Sequence, residues 1–353
     1  MKKIICVIFG GKSPEHDISC ISASSVIRNL DKNKYDIHTI GITKDGKWYL
    51  YTGDVDSIES GDWKNKSDCL KKAVISPDTS DGGILVWDDD GVKTIKIDVI
   101  FPVLHGEYGE DGTIQGLFEL SGIKYVGMGV AASANGMDKT LTKIVFSDAG
   151  IPQADWVTVT DVDDIDDKIK EVEAKLGYPC FVKPTSTGSS VGVGKASDRE
   201  ALDKAIRYAL EFGRKVLVEE NIDGHEVECS VLGNKEPKAG EVGEIIPEVE
   251  FYDFDAKYKS GTTKLQIPAD VSPEIRAEIK EYAVKAFKAL DGAGLSRVDF
   301  FVRYSDNKII LNEINTMPGF TSISMYPKLW AAAGIEYAEL LDKLIELAES
   351  RQK

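Results

Sequence analysis

Positive charge is scarce in this sequence: 43 lysines and arginines stand against 59 aspartates and glutamates, a formal net charge of −16 over 353 residues. A surface of that sign repels nucleic acid and anionic membranes, whose partners carry basic stripes, so neither is an expected partner. Any polyphosphate ligand must be held by a few local Lys and Arg against the general field. Cysteine pairs are missing as well. The five cysteines (Cys6, Cys20, Cys69, Cys180, Cys229) are odd in number and scattered, with no C-x-x-C. That argues against a disulfide framework or a zinc site and fits reduced thiols in the cytoplasm. No apolar run is long enough to cross a bilayer. The opening "MKKIICVIFGGKSPEHD" imitates a signal peptide, but its apolar run is short, lacks a small-residue cleavage site and leads into Glu15-His16-Asp17. It reads as a buried first strand. Internal repeats and low-complexity tracts are absent too.

What is present is a length that allows two or three domains and a composition, 42% hydrophobic and 29% charged, ordinary for a globular chain. "KIICVIFGG" is apolar almost throughout and ends in Gly-Gly, as a strand buried on both faces would. "SPEHDISCISASSVIRNL" reads as a helix with Ser13 at the N-cap and Pro14 at its first position. "YDIHTIGIT" and "KWYLY" flank a hairpin turn at Lys44-Asp45-Gly46, and "IDVIFPVL" is a further buried strand before the loop "HGEYGEDG" and the helix "TIQGLFELSG". Residues 1–130 therefore read as an open α/β domain, whose ligands sit beyond the carboxyl ends of its strands. Both "GGKSPEH" and "HGEYGEDG" lie at such ends.

Residues 131–222 read as a second unit: one helix over "ASANGMDKTLTKIVFSDAG", the strand "ADWVTVT", an acidic helix near 161–176, the strand "PCFVKP", another helix and the strand "KVLVEE". Residues 223–353 hold strands, the long segment "FYDFDAKYKSGTTKLQIPAD", a helix near 273–290, a hairpin and a closing helix.

"FVKPTSTGSSVGVGK" (residues 181–195) looks like a phosphate-binding P-loop but is not one: Ser189 stands where the first glycine belongs, and Ala196 follows Lys195 where a hydroxyl is needed. Its glycines, hydroxyls and lysines still suit an anion held by another architecture. The hairpin "LSRVDFFVRYSDNKIILNEIN" carries the strongest chemistry. A turn centred on Asp306 sets Asp299 opposite Glu313 and Arg297 opposite Asn315, all on one face, with Val298, Phe300, Val302, Ile310 and Ile314 on the other. Oxygen donors of this kind suit a hard cation such as Mg²⁺, and the arginine beside them suits a phosphoryl group. The plainer reading is a polar sheet face with a cross-strand Arg–Asp pair.

Taken in order, "FGGKSPEHDIS", "HGEYGEDGTIQG", "MDK", "FVKPTSTGSSVGV", "EVEFYDFDAKY", "SRVDFF" and "NEINTMPGFTSISMYP" span nearly the whole chain. The set resembles the D-alanine–D-alanine ligases, of the ATP-grasp superfamily. The resemblance implies an α/β ATP-grasp fold: an N-terminal open α/β domain followed by two α+β subdomains that clamp ATP. It implies that Lys139 and Lys183 contact ATP phosphates, that Ser190 belongs to a phosphate flap and that Lys257 sits on a covering loop. Glu219, Glu220 and Ile222 cradle adenine and Glu226 bonds the ribose. Asp299, Glu313 and Asn315 ligate two Mg²⁺ ions, or Mn²⁺ in their place. Glu15 holds the ammonium of the first D-alanine in a network with Ser189 and Tyr258; His105 lies near the first substrate, Ser324 and Met325 near the second. A homodimer is implied as well.

The implied chemistry accounts for these residue types. A carboxylate becomes an acylating agent only when one oxygen is made a leaving group, so D-alanine attacks the γ-phosphate and a second D-alanine's amine attacks the resulting acyl phosphate. Arg297 and the Gly319 amide would stabilise the tetrahedral oxyanion, a contribution of about 3 kcal/mol per donor. Acyl phosphates hydrolyse readily, which gives residues 251–268 a reason to act as a lid. Each residue alone has a plainer explanation. Glu15 could simply complement a helix dipole, His105 could be a turn residue and Tyr258 a packed loop aromatic. The rival activities are ligation of D-alanine to D-serine or D-lactate, as in vancomycin resistance. Tyr258 argues against lactate because it lacks a cationic charge that would repel an ammonium, and apolar Met325 argues against serine. A nucleotide-dependent dehydrogenase is disfavoured because "FGGKSPEH" lacks the G-x-G-x-x-G order. A non-catalytic ATP-binding module would need neither the metal set nor Glu15, Ser189 and Tyr258.

Overall fold

In β1 (Lys3–Gly10) all six residues from Ile5 to Gly10 are buried, because both faces of the strand are covered. Ile5, Val7 and Phe9 join one apolar core with Cys20, Ala23 and Val26, while Cys6 and Ile8 join another with Ile114 and Phe118. The computed structural model describes residues 2–188, 191–246, 264–321 and 323–351. Around β1 the chain adds β2 (Tyr35–Ile42), β3 (Trp48–Tyr51), β4 (Leu70–Ile75), β5 (Gly83–Asp88), β6 (Gly91–Lys96), β7 (Val99–Pro102) and β8 (Lys124–Tyr125). Their order is β6-β5-β4-β3-β2-β1-β7-β8, with β2, β1, β7 and β8 parallel and β2 to β6 a run of antiparallel neighbours. The β2–β3 turn bends where Gly46 takes a left-handed φ of 83°. Helices α1 (His16–Asn29), α2 (Val55–Glu59) and α3 (Thr113–Ser121) complete this unit.

At two places the local structure departs from the pattern expected of the sequence. Helix α1 begins at His16, not Pro14, with Glu15 at its N-cap; the Ser13 hydroxyl accepts the Glu15 N–H at 3.0 Å just ahead of the helix and donates to the His105 carbonyl at 2.7 Å. The single helix read after residue 130 is two, α4 (Val130–Met137) and α5 (Lys139–Asp148). Asp138 breaks it by taking an extended ψ and capping α5, its carboxylate accepting the Thr140 and Leu141 N–H groups.

The central sheet contains β9 (Trp156–Thr160), β10 (Cys180–Pro184), β11 (Gly194–Ala196) and β12 (Lys215–Glu220), ordered β11-β10-β12-β9 and wholly antiparallel. Helices α6 (Ile165–Lys175) and α7 (Arg199–Ala209) cover it through Ile169, Val172, Leu202 and Ile206. The third sheet has β13 (Gly224–Gly233), β14 (Lys238–Ile246), β15 (Lys264–Gln266), β16 (Gly294–Arg303) and β17 (Ile309–Asn315), ordered β15-β14-β13-β16-β17. Helix α8 (Pro273–Ala289) packs on it, started by the Ser272 hydroxyl and Pro273. Helices α9 (Met325–Ala332) and α10 (Tyr337–Ser350) close the described chain.

The units interlock. Ala132 of α4 and Phe146 of α5 lie in the core of the third sheet, and Leu340, Leu341, Leu344 and Ile345 of α10 lie in the core of the first. These contacts cross the divisions drawn at 130/131 and 222/223. Among the described residues no helix is long and apolar enough to cross a membrane.

The β16–β17 hairpin pairs Arg297 with Asn315 and Asp299 with Glu313, the register read from the sequence. Beyond that the register shifts, and Phe300 pairs with Leu311, Phe301 with Ile310 and Val302 with Ile309. Asn312 is the extra residue of a bulge. Ile310 therefore leaves the core face to which the regular pattern assigns it, and Ile309 and Leu311 join Val298, Phe300, Val302 and Ile314 in that core instead.

Candidate active site

The carboxyl ends of β1 and β7 lie side by side and deliver Glu15 and His105 to one place. The Glu15 carboxylate is wedged between two glycines. A methyl group built on Gly106 would sit 2.4 Å from Glu15 Oε2, and one on Gly188, in the loop after β10, would sit 2.8 Å from it. Only residues without a side chain let both loops approach this closely. His105 is buried; its Nδ1 bonds the Met317 carbonyl at 3.0 Å and its Nε2 bonds the Ser22 hydroxyl at 3.2 Å. Burial lowers its pKa, against the pull of Glu15 and the Met317 carbonyl. The neutral tautomer with the proton on Nδ1 satisfies both bonds, so His105 braces the site and has no free nitrogen to act as a base.

Glu110, from the same glycine-rich loop, was not singled out in the sequence. Its carboxylate accepts the Met317 N–H at 2.6 Å and the Gly106 N–H at 3.1 Å. Burial and the negative charge of Glu15 push its pKa up to about 8, although those two hydrogen bonds and Arg297 oppose the rise. "HGEYGEDG" contains three acidic residues, and nothing in their spacing marks the one that turns inward.

A second cluster lies across the two later sheets. Lys139, the first residue of α5, donates from Nζ to the Thr187 carbonyl at 2.9 Å. Lys183 on β10 pairs with Glu219 at 2.6 Å and donates to Asn312 Oδ1 at 3.2 Å, so the bulge residue bridges the two sheets. Burial works against the charge on Lys183, but Glu219, Glu313 and Glu226 outweigh it and raise its pKa. Glu219 is itself buried and held by a second lysine, Lys143, at 2.6 Å. Burial would raise its pKa, but Lys183 and Lys143 bring it down to about 2. Its carboxylate is therefore committed to two ammonium groups. The Glu220 carboxylate accepts the Asp155 N–H at 2.9 Å, while Ile222 and Glu226 remain partly exposed beside it.

On the hairpin, Arg297 grips Asp299 through two bonds of 2.8 and 2.7 Å and reaches Glu228 on β13 at 3.0 Å. Asn315 donates to Asp299 at 3.0 Å. Gly319 faces Ser324, whose hydroxyl accepts the Thr321 N–H at 3.0 Å. Met325 points into an apolar cluster with Ile245 and Leu329, 5% exposed, under the β14–β15 edge. Ser189, Ser190, Lys257 and Tyr258 lie outside the described residues, as does most of the 251–268 segment.

Two family models cover this chain: D-ala D-ala ligase N-terminus matches residues 4–128 and D-ala D-ala ligase C-terminus matches residues 145–346. The chain belongs to the D-alanine–D-alanine ligase family. The D-alanine–D-alanine ligases of Acetivibrio thermocellus and Ruminiclostridium cellulolyticum are 54% and 55% identical to it, over 99% of this chain and 96% of each relative. Among solved structures, the VanG D-Ala:D-Ser ligase from Enterococcus faecalis superposes with a TM-score of 0.91 at 44% identity, covering 99% of this chain and 100% of that one. The D-alanine–D-alanine ligase from Coxiella burnetii superposes at 0.86 with 37% identity, over 99% and 94%. The α/β architecture is thus that of the ATP-grasp carboxylate–amine ligases.

Ligases of this family use ATP with a divalent metal. Among the described residues no group of three or more His, Cys, Asp or Glu side chains is set to hold a metal. The hairpin set has two carboxylates and one amide, with Asp299 and Glu313 facing each other across β16–β17. All three donors are hard oxygens on one sheet face, and Asn315 keeps its carbonyl oxygen free when its amide nitrogen bonds Asp299. The set suits Mg²⁺ or Mn²⁺ by donor chemistry.

Proposed function

We propose that this ligase joins two molecules of D-alanine into D-alanyl-D-alanine, splitting ATP to ADP and phosphate, in the synthesis of peptidoglycan precursors. The convergence of Gly188, His105 and Glu110 on Glu15, with Arg297 also felt by Glu110, supports the reading most directly. Glu15 holds the ammonium of the first D-alanine. That substrate's carboxylate oxygen attacks the γ-phosphorus, the bond to the β-phosphate oxygen breaks and ADP leaves. The second D-alanine loses an ammonium proton, its nitrogen attacks the acyl carbon and the C–O bond to phosphate breaks. Arg297 and the Gly319 amide stabilise the oxyanion formed between these events. Lys139 and Lys183 hold the phosphates; Glu219, Glu220 and Ile222 border the adenine and Glu226 the ribose. Asp299, Glu313 and Asn315 hold the divalent metals, which supply charge neutralisation on the phosphates when bound. Ser189, Ser190, Lys257 and Tyr258 keep the roles that the family likeness gives them, as do Ser324 and Met325 beside the second substrate. The five unpaired cysteines support a cytoplasmic setting, and the family likeness supports a homodimer.

The likeness to VanG gives one second reading, D-serine as the second substrate. Incubation with ATP, Mg²⁺ and equal D-alanine, D-serine and D-lactate, followed by mass spectrometry, is expected to give mainly the alanyl dipeptide. Alanyl-serine in majority would install the second reading. Absence of phosphate release with every mixture would overturn both.

A further inference from the structure

Lys143 takes part in none of these steps, yet it is among the most completely buried charges in the described chain, its side chain 3% exposed. It lies four residues after Lys139 on α5, on the same face of the helix. Its ammonium meets Glu219 Oε1 at 2.6 Å, donates to the Ala154 carbonyl at 3.2 Å and lies over the Trp156 ring, 5.1 Å from its centroid. The other oxygen of Glu219 meets Lys183 at 2.6 Å, and the Lys183 side chain is 18% exposed. One carboxylate is therefore shared by two lysines, one sealed behind it and one opening toward the site. The frame around the sealed lysine is tied to the far sheet. Gln153 donates to the Lys143 carbonyl at 3.0 Å, and the Pro152 carbonyl accepts the Leu311 N–H at 2.8 Å, next to Asn312.

The charges decide what this arrangement does. A Lys183–Glu219 pair alone sums to zero, so the carboxylate that fixes the lysine would also cancel its attraction for an anion. In a poorly solvated site that cancellation is felt strongly. With Lys143 the group carries one net positive charge. We propose that Lys143 is a positioning residue for nucleotide binding: it neutralises Glu219 from behind, so that Glu219 can hold Lys183 rigid without cancelling its charge toward the phosphates. The inference rests on the assignment of Lys183 to the nucleotide.

The test compares binding of ADP and of adenosine by calorimetry in the full-length enzyme. Lys143→Met is expected to weaken ADP about tenfold, a coupling usual for neighbours in one charge network, while adenosine changes by less than about twofold. Lys143→Arg keeps the charge and is expected to stay within about threefold of the parent for ADP. The double variant Lys143→Met/Glu219→Gln, which removes the carboxylate along with the lysine that offsets it, is expected to recover at least half of the lost ADP affinity. Equal weakening of ADP and adenosine would reduce Lys143 to a packing role, and unchanged ADP binding would exclude it altogether. Lys183→Met separates the two claims. If it leaves ADP binding intact, the nucleotide assignment fails; if it weakens ADP while Lys143→Met does not, only the present inference fails.

Discussion

Replacing Asp299 by asparagine removes one charge from a nearly isosteric side chain, and the structure says that two separate properties will suffer. Asp299 is 4% exposed and holds Arg297 through two bonds of 2.8 and 2.7 Å. Breaking one partner of a buried pair costs about 3–5 kcal/mol when the survivor is left alone. Arg297 is not left alone, because Glu228 stays at 3.0 Å, and its own side chain is 18% exposed. The expected loss is therefore smaller, about 2 kcal/mol, or a fall of roughly 3 °C in Tm. Glu313 is less deeply buried than Asp299, so Glu313→Gln is expected to cost less, about 1 kcal/mol. Both variants should lose turnover by about a thousandfold or more if the two carboxylates hold the metal that neutralises the transferring phosphoryl group. Thermal unfolding and ADP release, measured side by side, give four numbers. A Tm for Asp299→Asn within 1 °C of the parent, a loss below about 0.7 kcal/mol, would refute the buried-clamp reasoning. Near-normal turnover in Glu313→Gln would refute the metal assignment.

Three further outcomes follow from the same geometry. The raised pKa of Glu110 means that the folded state binds a proton the unfolded state has released, so its contribution to stability is full below about 4.5 and is lost as pH rises through about 8; Glu110→Gln should flatten the fall in Tm across that window, and an unchanged Tm–pH profile would count against the shift. Gly188→Ala places a methyl group 2.8 Å from Glu15 Oε2, so KM for D-alanine should rise about tenfold with ADP affinity nearly unchanged, and equal effects on both ligands would contradict the placement of Glu15. Asp138→Ala removes the cap of α5 and the ion pair to Lys215, for an expected loss of about 1–2 kcal/mol in chemical denaturation; a loss below a few tenths would mean that α5 is held by packing alone.

Wherever local spacing decides geometry, the amino-acid order was already enough. The apolar run of β1, the Gly46 turn and the pairing of Asp299 with Glu313 all depend on residues within one strand or one hairpin. So does the ordered series of motifs that places the chain in its family. The errors arose where a side chain had a distant competitor. Ser13 ties the residues ahead of α1 to the His105 carbonyl, Asp138 interrupts a continuous helical pattern to cap and to pair with Lys215, and Asn312 bulges out toward Lys183 and turns Ile310 to the other face.

What the sequence by itself determined about this protein is its strands, its helices, one hairpin face of oxygen donors and its kinship. What only the tertiary structure decided is which charges are neighbours. Glu219 reads on paper as one acid of an adjacent pair, and becomes a shared anion only because α5, β10 and β12 bring Lys143 and Lys183 to its two oxygens. Glu110 is one of three acids in a loop until β1 and β7 set it beside Glu15. Periodicity encodes which way a side chain points within its own element, with a reach of a few residues. Electrostatic energy depends on distances and burial between elements far apart in the chain, and those are set only when the three sheets close on one another.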